Sequence, residues 1–140
     1  MITDLGHAAF AAHDLERSLA FYARLGIQEA FRLYRDDGSL LLVYLHVAGD
    51  HFIEVFPGGP EPATDRTGSF KHLCLLTDDL HEMVAQLRQA GVEIEREQLV
   101  GLDHNWQAWI RDPDGNAIEL MQLVEDSPQR QYARAKANKS

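Results

Sequence analysis

The sequence predicts an α+β fold built from two β-α-β-β-β modules in tandem. Three observations predict it. The chain has 140 residues, 45% hydrophobic and 25% charged, which is the size and composition of one packed globular domain. It repeats itself without a gap at an offset of 65 residues. Within each copy, a helical spacing of apolar residues is bracketed by short extended apolar runs. The offset lays His7 on His72, Asp14-Leu15 on Asp79-Leu80, Ala20 on Ala85, Gly26 on Gly91 and Ile53-Glu54 on Ile118-Glu119. Apolar character follows the same shift, as in Phe10 with Leu75, Tyr22 with Leu87, Tyr44 with Trp109 and Val55 with Leu120. The first module spans 1–58, a linker 59–68, the second module 69–125 and a basic tail 126–140.

Each copy opens on a short strand, Ala8-Ala9-Phe10-Ala11 or Leu73-Cys74-Leu75-Leu76. Asp14 and Asp79 then stand as helix N-caps, because a short carboxylate side chain accepts from the otherwise unbonded first-turn N–H groups. The helices carry Leu15, Leu19, Tyr22 and Leu25 in one copy and Leu80, Val84 and Leu87 in the other, at i, i+3, i+4 spacing. Both stop at glycine, Gly26 and Gly91, where a positive φ closes a helix, and Ile27 or Val92 restarts an extended segment. Residues 40–47 and 51–56 form a hairpin about the turn Ala48-Gly49-Asp50. Residues 106–111 and 117–121 form its counterpart about Asp112-Pro113-Asp114-Gly115-Asn116, with Pro and Gly supplying the turn angles. The stretch Pro57-Gly58-Gly59-Pro60-Glu61-Pro62 leads into the linker.

The charge balance of 22 acidic against 13 basic residues, net −9, lacks the basic surface that nucleic-acid phosphates or an anionic membrane require. Neither is an expected partner. A single cysteine, Cys74, excludes an intrachain disulfide, no apolar run approaches the roughly 18 residues of a membrane span, and the start of the chain lacks a basic-then-apolar leader. A cytoplasmic protein is expected.

Polar residues inside apolar strands carry the functional signal, since a buried carboxylate needs a partner. By alternation Phe52, Glu54 and Phe56 share one strand face opposite Ile53 and Val55, and Ala117, Glu119 and Met121 oppose Ile118 and Leu120. Both carboxylates are thereby expected on an inward face. His7 and His72 open their modules and obey the same offset, so the four residues form two equivalent pairs. Taken singly, a strand histidine reads as a hydrogen-bonded core residue and a strand glutamate as a solvated one. Two imidazoles and two carboxylates related by a repeat instead suit a divalent metal: imidazole favours Zn, Ni, Fe and Co, and carboxylate adds Mn.

Over residues 1–124 the sequence resembles the vicinal oxygen chelate superfamily, which groups glyoxalases, bleomycin-resistance proteins and extradiol dioxygenases. The marks are His7, the run Asp14-Leu15-Glu16-Arg17-Ser18-Leu19-Ala20-Phe21-Tyr22, Leu25-Gly26, Lys71-His72 and Asp112-Pro113-Asp114-Gly115-Asn116-Ala117-Ile118-Glu119-Leu120. The resemblance implies that the paired modules form a curved mixed sheet around a metal-binding cavity, with one divalent ion (Ni, Zn, Co, Mn or Fe) held by His7, Glu54, His72 and Glu119. It also implies a homodimer. Glutamate at the second ligand position is similar to glyoxalase I, whereas methylmalonyl-CoA epimerases usually show glutamine there. Glyoxalase I typically places a glutathione-binding arginine four residues after the first histidine and an asparagine four after the second ligand; here Ala11 and Gly58 occupy those positions.

The expected activity is that of a metal-dependent, glyoxalase-like lyase or isomerase acting on a small vicinal-oxygen substrate through a metal-bound enediolate, with Glu119, or its repeat mate Glu54, as base. The alternatives are an iron extradiol-type dioxygenase, whose open coordination positions a fourth ligand at Glu54 would reduce, and a small-molecule or antibiotic resistance or binding protein. Strand parity adds Gln107, Trp109, Tyr44 and His46 as substrate-binding candidates, although Trp109 and Tyr44 also read as core aromatics and His46 and His104 as surface histidines. Cys74 shares strand parity with His72, which would let it touch the pocket, but reads first as a small buried hydrophobe. The tail, with Arg130, Arg134, Lys136 and Lys139, reads as a solvated helix or as disordered chain.

Overall fold

The computed structural model describes residues 2–63 and 68–137. Positions 64–67 of the linker, and positions 138–140 of the tail with Lys139, lie outside the described residues. The chain divides into two compact units, Met1–Arg66 with Asp112–Gly115, and Thr67–Arg111 with Asn116–Ser140.

The first unit runs β1 (His7–Ala12), α1 (Leu15–Arg24), β2 (Gln28–Tyr34), β3 (Leu40–Ala48) and β4 (His51–Pro57). Its sheet has the order β1-β4-β3-β2, with β1 parallel to β4 and the other neighbours antiparallel. The second unit repeats this with β5 (Leu73–Leu76), α2 (Leu80–Gln89), β6 (Arg96–Val100), β7 (Trp106–Arg111) and β8 (Ala117–Gln122), in the order β5-β8-β7-β6. It ends in α3 (Pro128–Ala137), so the described part of the tail is helical from Pro128 on. The tandem modules are therefore two separate four-stranded mixed sheets with three helices among the described residues.

The helix ends follow from the predicted residues. Asp14 accepts from Arg17 N–H and Asp79 from Glu82 N–H at the first turns. At the other ends Gly26 and Gly91 take φ of 81° and 77°. There the N–H of Ile27 donates to the Tyr22 carbonyl and that of Gly26 to the Ala23 carbonyl; Val92 does the same to Leu87 and Gly91 to Arg88. This is one glycine-closed cap formed twice.

In each unit one sheet face is covered by its helix, α1 against β2 and β4, α2 against β7 and β8. Val43, Leu45, Ile53 and Val55 are buried in the first unit, and Ala108, Ile110, Ile118 and Leu120 in the second. Each fully buried branched side chain contributes about 1.5–3 kcal/mol.

The buried stripe of α1 differs from the apolar series in the sequence. Ser18, Phe21 and Tyr22 are buried, whereas Leu15, Leu19 and Leu25 are only half-buried. The cause is polar. The Asp112–Gly115 turn belongs to the first unit, where the Tyr22 hydroxyl donates to Asp112 at 2.8 Å and the Ser18 hydroxyl donates to Asp114 at 2.8 Å. The His13 N–H also donates to Asp114, at 2.7 Å. Burial, and then the Asp112 and Asp114 carboxylates, hold the Tyr22 hydroxyl well above the ordinary tyrosine pKa.

Candidate functional site

In the first unit the sheet face away from α1 carries ordered rows of side chains. Register places His7 beside Phe52 and Phe52 beside His46; one row further on it aligns Ala9, Glu54, Tyr44 and Phe31. His7 Nε2 lies 3.5 Å from Glu54 Oε2. The carboxylate is buried, at 8% exposure, while the imidazole remains half exposed. Register sets Tyr44 opposite Glu54, and interaction with that carboxylate, hydrogen bonding first, holds the Tyr44 hydroxyl above its ordinary pKa. Around them Tyr44 stacks on Phe31 at 4.5 Å between ring centroids and meets Phe52 edge-on at 5.8 Å, forming an aromatic wall.

The second unit repeats the pair with different neighbours. Register aligns Cys74, Glu119, Trp109 and Arg96 in one row across β5, β8, β7 and β6. His72 Nε2 lies 3.1 Å from Glu119 Oε2, and Glu119 is 6% exposed. Register sets Cys74, with its thiol, opposite Glu119 across β5 and β8. Desolvation, and then the Glu119 charge and hydrogen bond, push that thiol up to about 12. Cys74 as a residue is exposed rather than a buried hydrophobe, because its strand position faces away from the helix-covered side of the sheet. The Trp109 ring meets His72 edge-on at 4.8 Å, and its indole N–H donates to Gln107 Oε1 at 2.7 Å.

The structure thus brings His7 to Glu54 and His72 to Glu119, each within one unit. Two ligands at about 2.0–2.2 Å from a common ion stand about 2.8–3.6 Å apart, and both pairs have that spacing. The donor atoms, imidazole nitrogen and carboxylate oxygen, fit a divalent cation. Among the described residues no three of His, Cys, Asp and Glu are grouped so as to hold an ion by themselves. Each pair is a two-donor set.

Of the substrate-binding candidates, Tyr44 and Trp109 stand beside the two pairs. Gln107 has its carbonyl oxygen engaged by Trp109, leaving the amide NH2 as its donor end. His46 packs at 5.3 Å against Phe52, but its Nε2 is bonded to the Gly49 carbonyl in the hairpin turn. The sequence reading missed that Tyr44 and Cys74 stand opposite the two carboxylates across the strands. It also missed Arg96, whose guanidinium lies 5.7 Å over the Trp109 ring.

The family model described as Glyoxalase/Bleomycin resistance protein/Dioxygenase superfamily matches residues 4–120, and the chain belongs to that family. A bleomycin resistance protein from Klebsiella pneumoniae is 30% identical over 129 residues, covering 86% of this chain and 94% of that protein. A glyoxalase family protein from Enterococcus faecalis has a similar fold, with a TM-score of 0.71, 23% identity and coverage of 84% of this chain and 96% of the other. A lactoylglutathione lyase from Agrobacterium tumefaciens does so with a TM-score of 0.64, 22% identity and coverage of 86% and 94%. The superfamily holds both enzymes and resistance proteins, and its members commonly bind a divalent metal. No helix among the described residues is long and apolar enough to cross a membrane.

Proposed function

We propose that this chain is a metal-dependent, glyoxalase-like lyase or isomerase that moves a proton beside a carbonyl of a small vicinal-oxygen substrate. The observation that carries the reading is the His–Glu pair formed twice, with a buried carboxylate each time and donors 3.5 Å and 3.1 Å apart. His7, Glu54, His72 and Glu119 would hold one divalent ion, Ni, Zn, Co, Mn or Fe. When bound, such an ion supplies a Lewis acid that polarises the carbonyl and acidifies the neighbouring C–H.

The chain's own residues do the rest. Glu119 takes the proton from the carbon beside the carbonyl and returns it to the neighbouring carbon; Glu54 is the equivalent base on the first unit. Tyr44 and Cys74, which register sets opposite the two carboxylates, would orient them, as outer neighbours do for ligating groups. Tyr44 and Trp109 supply apolar walls that exclude water, and the Gln107 NH2 is a donor to a substrate oxygen. His46 contributes ring surface. The reading includes a homodimer and a small-molecule substrate, with nucleic acid and membrane as non-partners.

The 30% identity to a bleomycin resistance protein favours a second reading, a resistance protein that binds its small molecule without turning it over. Both are tested in one experiment. Metal-reconstituted protein is incubated in D2O with α-oxoaldehyde thiol adducts and ketoses, and deuterium entry beside the carbonyl is followed by NMR, alongside calorimetric titration with bleomycin. Deuterium entry that disappears on chelation supports the enzyme. Bleomycin binding with no exchange in any substrate overturns it for the resistance reading.

A further inference from the structure

We propose that Arg96 is a specificity-determining residue that binds a carboxylate at the far end of the substrate, so that the substrate class is a short anionic oxo- or hydroxy-acid. This rests on the proposed function above only for the position of the reacting end.

Arg96 stands on the same sheet row as Glu119, separated from it by Trp109 alone. With strands about 4.8 Å apart, the two backbones are about 10 Å from each other, a span that both side chains shorten from either end. The guanidinium lies 5.7 Å over the Trp109 ring, whose edge meets His72, so the cation is held on the face that carries the His72–Glu119 pair. Stacking on an aromatic ring restrains a guanidinium while leaving its edge donors available.

The charges around it are committed elsewhere. Arg96 is flanked in sequence by Glu95 and Glu97, yet Glu95 pairs with Arg111 at 2.9 Å and Glu97 with Arg88. Strand alternation explains this, since residues on either side of Arg96 point to the opposite face. Among the described residues no carboxylate pairs with Arg96, although it is exposed in a chain of net charge −9. An exposed, pre-oriented planar fork without a protein carboxylate matches an incoming one, which accepts two parallel N–H bonds.

The test uses the full-length chain carrying Trp106→Phe, so that Trp109 is the sole tryptophan and its fluorescence reports on the stacked guanidinium. The probes are 2-oxoglutarate and 2-oxoadipate, each beside its monomethyl ester at the distal carboxylate, which keeps the oxo-acid end and removes only the far charge. The expected result is a saturable change in Trp109 emission with at least one of the acids and at least tenfold weaker binding of its ester. Arg96→Gln should then lose that tenfold for the acid and leave the ester unchanged, with an unaltered melting temperature showing that the variant folds. Equal binding of acid and ester, an unchanged acid affinity in Arg96→Gln, or no saturable response to either acid overturns the proposal. The readout needs neither metal nor turnover, so a failure of the metal-dependent reading, seen as protein without bound metal, is separate from a failure here.

Discussion

Glu54 and Glu119 are buried carboxylates that each keep a neighbouring imidazole and a cross-strand neighbour, Tyr44 or Cys74. If Glu119 is the base, Glu119→Gln retains most bound metal and lowers turnover by at least about 10²-fold, the usual consequence of removing a general base. Comparable activity after metal reconstitution would place the base elsewhere. If Tyr44 and Cys74 orient the ligands, Tyr44→Phe and Cys74→Ala each weaken metal affinity by about 10–100-fold in a chelator competition; unchanged affinity in both variants contradicts that role. The histidines and glutamates were legible in the sequence because offset and strand parity are sequence properties. Tyr44, Cys74 and Arg96 acquire their roles through cross-strand register, which alternation alone does not specify. Alternation puts Cys74 on the His72 parity without naming its cross-strand partner, and nothing in the spacing singles out Arg96.

The helices show how far local chemistry carries. The Asp14 and Asp79 caps and the Gly26 and Gly91 closures were readable, since each depends on a few adjacent residues. Asp14→Ala or Asp79→Ala should each cost about 0.5–2 kcal/mol by denaturant unfolding. Of the buried stripe of α1, Tyr22 was readable from the apolar spacing whereas Ser18 was not, because its hydroxyl is buried against a carboxylate 96 residues away in sequence. Tyr22→Phe leaves Asp112 without that donor and should destabilise by about 1–3 kcal/mol at neutral pH. Tyr22 has a raised pKa when folded, so its stabilising contribution is complete below the ordinary tyrosine value of about 10 and is lost as pH rises beyond it. The urea midpoint of the wild type should therefore fall more steeply between about pH 9 and 11 than that of Tyr22→Phe. Parallel slopes would show that Tyr22 is not the group responsible.

At the scale of the whole molecule the 65-residue offset carried most of what could be read, because one supersecondary unit written twice imposes the same strand order on both sheets. Family membership follows independently from the match over residues 4–120. The substrate was not legible, and the departures from the glyoxalase I pattern narrow it. Ala11 lies on β1 and Gly58 directly after β4 with φ of 79°, and neither side chain can donate a hydrogen bond to a glutathione carboxylate. The methylglyoxal–glutathione adduct should accordingly be turned over with a kcat/KM below the ordinary range of about 10⁴–10⁸ M⁻¹s⁻¹ in the Ni, Co, Mn and Zn forms; a value inside it contradicts this expectation. The central claim, that two His–Glu pairs serve one divalent ion, is tested most directly by elemental analysis of purified wild type, His7→Ala and His72→Ala. One divalent metal per chain is expected in the wild type and its loss in both variants, because each histidine would supply one of the four proposed donors. Full stoichiometry retained in both variants, or no metal in the wild type after reconstitution, would contradict it.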